Sequence, residues 1–365
     1  MLNFEGVFNP LSFGYITFGL AKELFKRKVD FNFFPINGSL DWSSFDKVDD
    51  GFKNYINTSA NDAMKKFSLN DNSFKVWHIS QSWHKLSKKS NSLLTFSECD
   101  ALTDEETNIL NSFDKVFVTS KFSKSVFEDY GVKSKIVYAP MGIDNETFYN
   151  TAQPRPFKDI IVFGLFSKAE KRKHNIQAAI SWIKKFGGNP KYKLHLHITN
   201  PFFKPEQQNQ IYAQIFSNAA KPFNVDIFPY FPTNSQLNGC YNAVDIVIDV
   251  SGGESISLPS LNCVAMGKHG IIHYNSAMKD WATDENAVLI KPNGKMPIYD
   301  GVFFQQGSKF NTGNFYTYSE DDLIGAFQLA INRFEANPIN EAGKKLQETY
   351  SFKVGADIIL GEINS

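Results

Sequence analysis

Short runs of apolar and β-branched residues alternate with helix-like segments along this chain, and the series occurs twice. Such runs are typical of buried strands, and strands that alternate with helices indicate a parallel sheet wrapped by helices. The first series of predicted strands covers residues 2–8, 29–36, 74–79, 93–98, 115–120 and 135–140. The second covers residues 158–164, 193–199, 225–231, 245–250, 270–275 and 287–290.

A turn-rich segment, residues 141–156, separates the two series and shows no sustained periodicity. At 365 residues the chain is long for a single core. We therefore predict an α/β fold of two Rossmann-like domains that face each other across a cleft, with residues 1–153 in the first domain and 154–349 in the second. Ligands of such sheets bind beyond the carboxyl ends of the strands. Residues 291–318 are loop-rich and aromatic, and no element is assigned to them.

Composition limits the classes of partner. The chain has 38 Lys and Arg residues and 38 Asp and Glu residues, so its formal net charge is zero. A balanced charge does not favour dedicated nucleic-acid binding, although local basic patches such as residues 85–89 leave that function open. The three cysteines have no C-x-x-C spacing, which fits a reducing compartment. Neither a signal peptide nor an apolar stretch of 18 residues is visible, so we expect a cytoplasmic protein without a transmembrane segment.

The strongest candidate site is the stretch SGGESISLPSLNCVAMGKHG (251–270), directly after the predicted strand 245–250. A helix that begins here would present free N–H groups and the positive end of its dipole to an anion such as a diphosphate. Ser255 and Ser257 could add hydroxyl donors. A carboxylate would repel that anion, so Glu254 is expected to accept hydrogen bonds from neutral hydroxyls such as those of a sugar. The alternative is that Glu254 caps the helix.

The segment ESISLPSLNCVAMGKHGII resembles the E-G-F-G-L-P-x-x-E-A-M-A-x-G-x-P-V-I passage of retaining glycosyltransferases with the GT-B fold, family 4 in particular. Residues 113–148 and the start of the second series, DIIVFGLFSKAEKRKHNIQAAISW, resemble two further passages of that family in the same order. The resemblance covers roughly residues 110–290. It implies two Rossmann-like domains with a C-terminal helix, about residues 350–365, that packs back on the first domain.

In the family, two glutamates with seven residues between them line the donor site. Glu254 takes the first position, and the resemblance implies that it holds hydroxyls of the donor sugar. Asn262 takes the second, where the family uses Glu for the ribose, so the donor nucleotide and the activity itself are in question. The position at which the family has an arginine falls near Leu165, so this chain lacks that cation. Arg172 and Lys173 match the phosphate-binding lysine best and are expected to bind the leaving diphosphate.

The resemblance also suggests further donor-binding residues around these positions. The loop of residues 9–19 resembles the GT-B loop that approaches donor phosphate and acceptor, and Gly14 would permit close approach of the backbone, unless the loop is merely a turn. The remaining predicted donor-binding residues are Gly164, Gly253, Ile256 and Leu258.

Residues 76–106 hold the predicted acceptor side. His78, His84, Glu98 and Asp100 lie near the ends of predicted parallel strands, and Trp77 and Trp83 could stack on sugar rings. The alternative is structural, with buried tryptophan, a hydrogen-bonded histidine and a helix cap at Asp100 or Thr103.

These features together predict a glycosyltransferase that moves a sugar from a nucleotide-diphosphate sugar to an acceptor hydroxyl, with retention and without a cofactor. UDP-sugar is the first expectation for the donor and GDP-sugar the second. No D-x-D triplet of metal-dependent transferases occurs, and HExxH, GxSxG and GxxxxGK[ST] are also absent. A glycan, a lipid-linked sugar, another hydroxyl compound or a hydroxymethylated DNA base of the viral type could be the acceptor. A non-catalytic nucleotide-sugar or glycan-binding protein is the other alternative.

Overall fold

The computed structural model describes residues 1–151, 155, 157–217 and 220–364. The boundary predicted between residues 153 and 154 lies outside the described residues.

The first half of the chain forms one parallel sheet, in the order β2-β1-β3-β4-β5-β6. Its strands are β1 (Leu2–Phe8), β2 (Phe31–Leu40), β3 (Asn72–Val76), β4 (Asn91–Leu94), β5 (Lys115–Val118) and β6 (Lys135–Tyr138). All six strands predicted for this half are confirmed. The strands β3 and β4 end earlier than predicted, so that His78 and Glu98 lie in loops beyond the sheet.

Helices cover this sheet, and polar side chains mark where they begin. They are α1 (Ser12–Lys26), α2 (Asp50–Lys66), α3 (Asp104–Leu110) and α4 (Lys121–Asp129). Thr103 and Glu106 form a reciprocal capping box at the start of α3, and Ser120 caps α4. Because α1 is buried along most of its length, it fixes the preceding loop, residues 9–11, over the carboxyl end of β1.

The second half forms another parallel sheet of six strands, in the order β12-β11-β10-β7-β8-β9. Its strands are β7 (Ile161–Phe166), β8 (Tyr192–His197), β9 (Val225–Ile227), β10 (Ile246–Asp249), β11 (His269–His273) and β12 (Ala287–Ile290). The predicted strands are confirmed here too. The architecture of two α/β domains is therefore the one that the alternation of strands and helices predicted.

Residues 291–318 contain an antiparallel hairpin that the sequence did not reveal. Its strands are β13 (Gly294–Pro297) and β14 (Asn314–Thr317), and residues 298–313, here called the hairpin loop, connect them. The hairpin leaves the second domain and reaches the first.

Helices of the second half are α5 (Asn175–Phe186), α6 (Pro205–Ile215), α7 (Asn234–Asn242), α8 (Leu258–Ala265), α9 (Met278–Trp281), α10 (Glu320–Ala336), α11 (Glu341–Lys344), α12 (Leu346–Tyr350) and α13 (Phe352–Asn364). The last of them, α13, lies on the first domain. The ring of Phe352 occupies the space beside Gly19 of α1, and the Asn72 side chain donates a hydrogen bond of 3.1 Å to the carbonyl of Ile363.

None of the helices described is both long and apolar enough to cross a membrane.

Candidate active site

Two adjoining cavities lie between the domains, beyond the carboxyl ends of both sheets. The first cavity has a volume of about 240 Å³ and is lined by residues of both domains. The second cavity measures about 450 Å³ and lies toward the hairpin loop. They share the lining residues Asn9, Leu11, Ser12, Phe96, Glu98 and Lys168. A molecule in one cavity could therefore contact a molecule in the other.

Most of the predicted site residues line the first cavity. The predicted catalytic residues Glu254, Arg172 and Lys173 all contribute to its wall. The predicted donor-binding residues found there are Ser255, Ile256, Ser257, Leu258 and Asn262. Among the acceptor-side candidates, Glu98 lines both cavities and His78 lines the second.

The two glycines after β10 allow three chain segments to meet. A Cβ atom on Gly253 would lie 2.3 Å from the carbonyl oxygen of Glu98, and one on Gly252 would lie 2.2 Å from that of Tyr316. The Gly252 N–H donates to the carbonyl of Arg172 at 2.7 Å. The space that these glycines leave is filled by protein backbone, so they position the turn rather than widen a pocket.

The turn between β10 and α8 carries backbone donors without protein partners. Within the described chain, the N–H groups of Ser255, Ile256 and Ser257 donate to no protein acceptor. Ser257 precedes α8 in the left-handed conformation, with φ of 58°. The three residues belong to the wall of the first cavity. Because successive free N–H groups at a helix start attract negative charge, this turn is suited to an anion.

The serine hydroxyls of this turn are engaged by the protein. The Ser257 hydroxyl donates to Asp249, and the Ser260 hydroxyl donates to the same carboxylate at 2.5 Å. The Ser255 hydroxyl lies 3.3 Å from that of Thr119 and 3.4 Å from that of Ser123, both in the first domain. Backbone N–H groups, and not the serine hydroxyls, are thus the free donors.

A network of charges centred on the buried Arg172 lies at the wall of the first cavity, and its outer members Glu98 and Lys168 are 35% and 39% exposed. Arg172 is 3% exposed, and its guanidinium contacts three carboxylates, Glu254 at 2.9 Å, Glu98 at 2.7 Å and Glu170 at 3.0 Å. The Lys173 ammonium also pairs with Glu254, and Lys168 pairs with Glu170 at 2.7 Å. The three cations balance the three carboxylates. Since Glu98 belongs to the first domain, the network also joins the two domains.

The network shifts the pKa values of its members in different directions. Burial alone would raise the pKa of Glu254, but the charges of Lys173 and Arg172 outweigh it and lower that pKa. The same balance lowers the pKa of Glu170 to about 2, against the effect of its burial. For Glu98 burial dominates and raises the pKa, although Arg172 opposes the shift. Glu254 is therefore an anion held by two cations.

Asn262 connects the first cavity to the segment between the domains. Its Nδ2 donates to the carbonyl of Gly142 at 3.1 Å and to that of Leu258 at 2.8 Å. Its Oδ1 is buried without a partner in the described structure. A buried acceptor that lacks a donor is costly. The side chain therefore offers one free acceptor beside the cavity that it lines.

His78 presents a neutral imidazole to the second cavity. Although the residue as a whole is exposed at the cavity, partial desolvation of the ring and then the positive charge of Lys168 lower its pKa to about 4. The ring packs against Phe13 at a centroid distance of 4.2 Å and against Trp77 at 5.1 Å. Trp77 itself donates from Nε1 to Gln81 at 2.8 Å, so it is fixed in the wall and does not lie free at the surface.

Several predicted residues line neither cavity. A Cβ on Gly14 would lie 2.2 Å from the carbonyl oxygen of Asn9, so this glycine lets the loop of residues 9–11 fold onto α1. Gly164 lies inside the second sheet, where a Cβ would contact the ring of Phe166. Gly253, described above, acts through its backbone.

The two remaining acceptor candidates face other parts of the protein. The His84 side chain is 65% exposed, and its Nε2 lies 3.1 Å from Glu5. Asp100 binds the hairpin, with an ion pair of 2.7 Å to Lys295 and a hydrogen bond of 2.7 Å from the N–H of Asn314.

Sequence reasoning missed Glu170 and the aromatic residues of the hairpin loop. Glu170 stood within the charged run 168–174, where a single carboxylate among lysines gave no sign of burial. Phe303 and Phe304 line the second cavity together with first-domain residues such as Ala101 and Glu106, which lie roughly 200 positions earlier in the sequence. No local pattern predicts that contact.

The described residues contain no group of three or more His, Cys, Asp or Glu side chains arranged to hold a metal ion.

Known proteins with this architecture are distant in sequence, and no family model matches the chain. A protein named uncharacterized glycosyltransferase 335, from Sulfolobus islandicus rod-shaped virus 1, is 25% identical over 280 residues, 71% of this chain and 76% of its own. Sucrose-phosphate synthase from Thermosynechococcus elongatus has a TM-score of 0.69 at 12% identity, covering 100% of this chain and 98% of its own. Anabaena HepE in complex with UDP and glucose has a TM-score of 0.68 at 12% identity, covering 100% and 99%. These likenesses confirm the GT-B fold.

Proposed function

We propose that this protein is a glycosyltransferase that moves a sugar from a nucleotide-diphosphate sugar to an acceptor hydroxyl, with retention of the anomeric configuration. The observation that carries the proposal is the turn of residues 255–257, whose three free N–H groups line a cleft beside Arg172 and Lys173. The name of the viral relative and the fold support the same conclusion. A UDP-sugar is the first choice of donor, since one structural neighbour binds UDP and glucose, and a GDP-sugar is the second.

In this proposal the diphosphate binds where backbone donors and cations converge. The N–H groups of Ser255–Ser257 and the side chains of Arg172 and Lys173 offset the negative charge that develops as the diphosphate leaves. The same groups supply the charge compensation that a metal ion gives in other transferases, so the proposed reaction uses no metal. Because Glu254 holds both cations in the structure described, diphosphate binding must loosen that pairing and free the carboxylate for sugar hydroxyls.

The acceptor oxygen attacks the anomeric carbon on the face from which the diphosphate departs. The bond between that carbon and the phosphate oxygen breaks with its electron pair, and the acceptor proton passes to the departing phosphate. This route needs no nucleophilic side chain. The Glu254 carboxylate, which accepts from Arg172 at 2.9 Å and from the Ser251 hydroxyl at 2.5 Å in the structure described, binds sugar hydroxyls in this route once the diphosphate has engaged the cations. Asn262 accepts a ribose hydroxyl at its unpartnered Oδ1.

A non-catalytic nucleotide-sugar or glycan-binding protein is the second candidate. The observation that favours it is the pairing of Arg172 and Lys173 with carboxylates, which must be displaced before either cation can receive a phosphate. Such a protein would bind a nucleotide or a glycan without turnover. The two candidates differ in whether any sugar is transferred or released.

The test combines binding with turnover. We expect UDP to raise the melting temperature, and release of UDP from a panel of UDP-sugars to fall at least a hundredfold in Glu254→Gln. The matched control is Glu341→Gln, which removes the charge of a surface glutamate, 60% exposed, on α11. Binding of UDP without release from any UDP-, GDP- or ADP-sugar would favour the non-catalytic protein.

We also propose a cytoplasmic location. Its support is that Cys99, Cys240 and Cys263 are all buried free thiols, which suits a reducing compartment.

A further inference from the structure

The second cavity has one wall that comes from the hairpin loop. Phe303, Phe304 and Asn311 of this loop face Trp77 and His78 of the first domain across the cavity. The loop thus brings a part of the second domain to the wall of the second cavity. Whatever enters the second cavity must fit between this loop and the first domain.

The hairpin loop is fastened to the first domain at several points. The N–H of Asn311 donates to the Glu106 carboxylate at 2.9 Å, and the Thr103 hydroxyl donates to the carbonyl of Lys309 at 2.7 Å. Beneath it, Phe304 packs with Cys99 and Phe315 in a small apolar cluster. These hydrogen bonds and apolar contacts hold the hairpin loop in a defined position at the cavity.

Aromatic rings give this cavity flat apolar surfaces. Phe303 stands 5.8 Å from Phe202, centroid to centroid, and both rings line the cavity from the second domain. Trp77 and Phe96 line it from the first domain. A pyranose ring presents a face of C–H groups, which packs on such surfaces while its hydroxyls point to polar groups around the edge.

The polar groups of this cavity disfavour an anion. Glu98, Glu106 and Glu170 line it, and among the lining residues that the structure describes Lys168 is the one cation. Lys168 is already paired with Glu170. A phosphate here would face the Glu98 carboxylate, whose side chain is 35% exposed, whereas a neutral hydroxyl could donate to it. Carboxylates beside aromatic faces are suited to an uncharged polyhydroxy ring.

We propose that the second cavity binds the acceptor, that this acceptor is a neutral glycoside, and that Phe303 of the hairpin loop packs on its ring. This inference rests on the proposed function. The volume of about 450 Å³ leaves room for more than one sugar ring. The lining shared with the first cavity places the acceptor hydroxyl beside the donor. Sugar phosphates and hydroxymethylated DNA bases are then not the preferred acceptors.

The test measures the rate of UDP release from UDP-glucose in the presence of each acceptor. The rate without an acceptor, which reports hydrolysis by water, is subtracted. The panel contains methyl glucosides and maltose, glucose 1-phosphate, and duplex DNA with hydroxymethylcytosine. We expect stimulation by a neutral glycoside. In Phe303→Ala its KM should rise about tenfold while UDP affinity is retained, because the variant loses the ring that packs on the acceptor.

Two control variants show whether a change in KM comes from the lost ring or from a loss of folding. Val302→Ala alters the neighbouring residue, which is 53% exposed and belongs to neither cavity wall, and should leave the KM unchanged. Phe303→Trp keeps an aromatic face and should restore most of the affinity.

The remaining outcomes separate the two proposals. Stimulation by glucose 1-phosphate or by the modified DNA alone would overturn the neutral acceptor and leave the glycosyltransferase standing. An unchanged KM in Phe303→Ala would overturn the role of the loop. If UDP neither binds nor is released from any donor, the proposed function fails and this inference with it.

Discussion

The Asn262 side chain connects helix α8 with the segment between the two domains. The Nδ2 of Asn262 donates to the carbonyl of Gly142, in the segment that joins the two domains, and to that of Leu258. A glutamate cannot donate to either carbonyl and would place a negative charge beside both. Asparagine therefore ties α8 to this segment and still leaves Oδ1 for a ligand.

We predict that Asn262→Asp, which keeps the shape and removes the donors, lowers the free energy of unfolding by about 2–4 kcal/mol, because it buries a charge and removes the two hydrogen bonds that the amide donates to the carbonyls of Gly142 and Leu258. Chemical denaturation measures this change. Asn332→Asp introduces the same chemistry on the exposed side of α10 and should stay within about 0.5 kcal/mol of the parent protein. Equal losses in both variants would contradict this role of Asn262.

Among the elements, the strands of the second sheet bury histidines that the fold keeps neutral. Burial lowers the pKa of His195 in β8 and of His273 in β11 from 6.5 to about 4. A folded-state pKa below the unfolded value means that the unfolded chain binds more protons between pH 6.5 and 4. The stabilisation by the neutral ring is therefore complete above pH 6.5 and is lost as the pH falls through this window.

We predict that lowering the pH from 7 to 5 reduces the free energy of unfolding, with about 1–2 kcal/mol from each of these two histidines. The measurement is denaturant unfolding at both pH values. His273→Asn should lose part of this dependence, whereas His84→Asn, at a side chain that is 65% exposed, serves as the control. A His273→Asn variant with the full pH dependence would show that other groups cause it.

The elements also show what the sequence can predict. The strands β1 and β12 have the predicted bounds, because an apolar run between turn residues suffices to define a buried strand. The apolar runs of β3 and β4 continue past the strand ends, since Trp77 and Phe96 are packed at the cavity walls, and burial alone does not distinguish a strand from a buried loop. The hairpin gave no local signal because residues distant in sequence, such as Asp100, hold it in place.

At the candidate site too, contacts between residues distant in sequence could not be predicted from local patterns. The position of Glu254 after a buried strand predicted that it lies at the cleft, because the carboxyl ends of parallel strands share an edge of the sheet, whereas Arg172 and Lys173 were predicted from the resemblance to GT-B transferases. The sequence did not reveal that these side chains pair with one another, or that Glu98 of the first domain completes the network. Contacts between domains depend on how the two sheets face each other, and no segment of either domain encodes that alone.

At the scale of the whole molecule, one ion pair connects the two domains at the proposed donor site. Glu98 reaches from the first domain to Arg172 at 2.7 Å, where a diphosphate is proposed to bind. The carboxylate holds the domains together without a donor and competes with the diphosphate when the donor arrives. Binding of the nucleotide must therefore replace this contact or share the guanidinium with it.

We predict that Glu98→Gln binds UDP several-fold more tightly than the parent protein, because the amide no longer competes as an anion for Arg172. Without UDP the variant should melt at a lower temperature, since a charged contact between the domains is lost. Isothermal titration with UDP and thermal unfolding measure the two effects.

Asp100→Asn is the matched control, because its ion pair with Lys295 also joins the domains but lies outside both cavity walls. It should lower the melting temperature and leave UDP affinity unchanged. Weaker binding of UDP to Glu98→Gln would mean that Glu98 supports the donor site instead of competing with the donor.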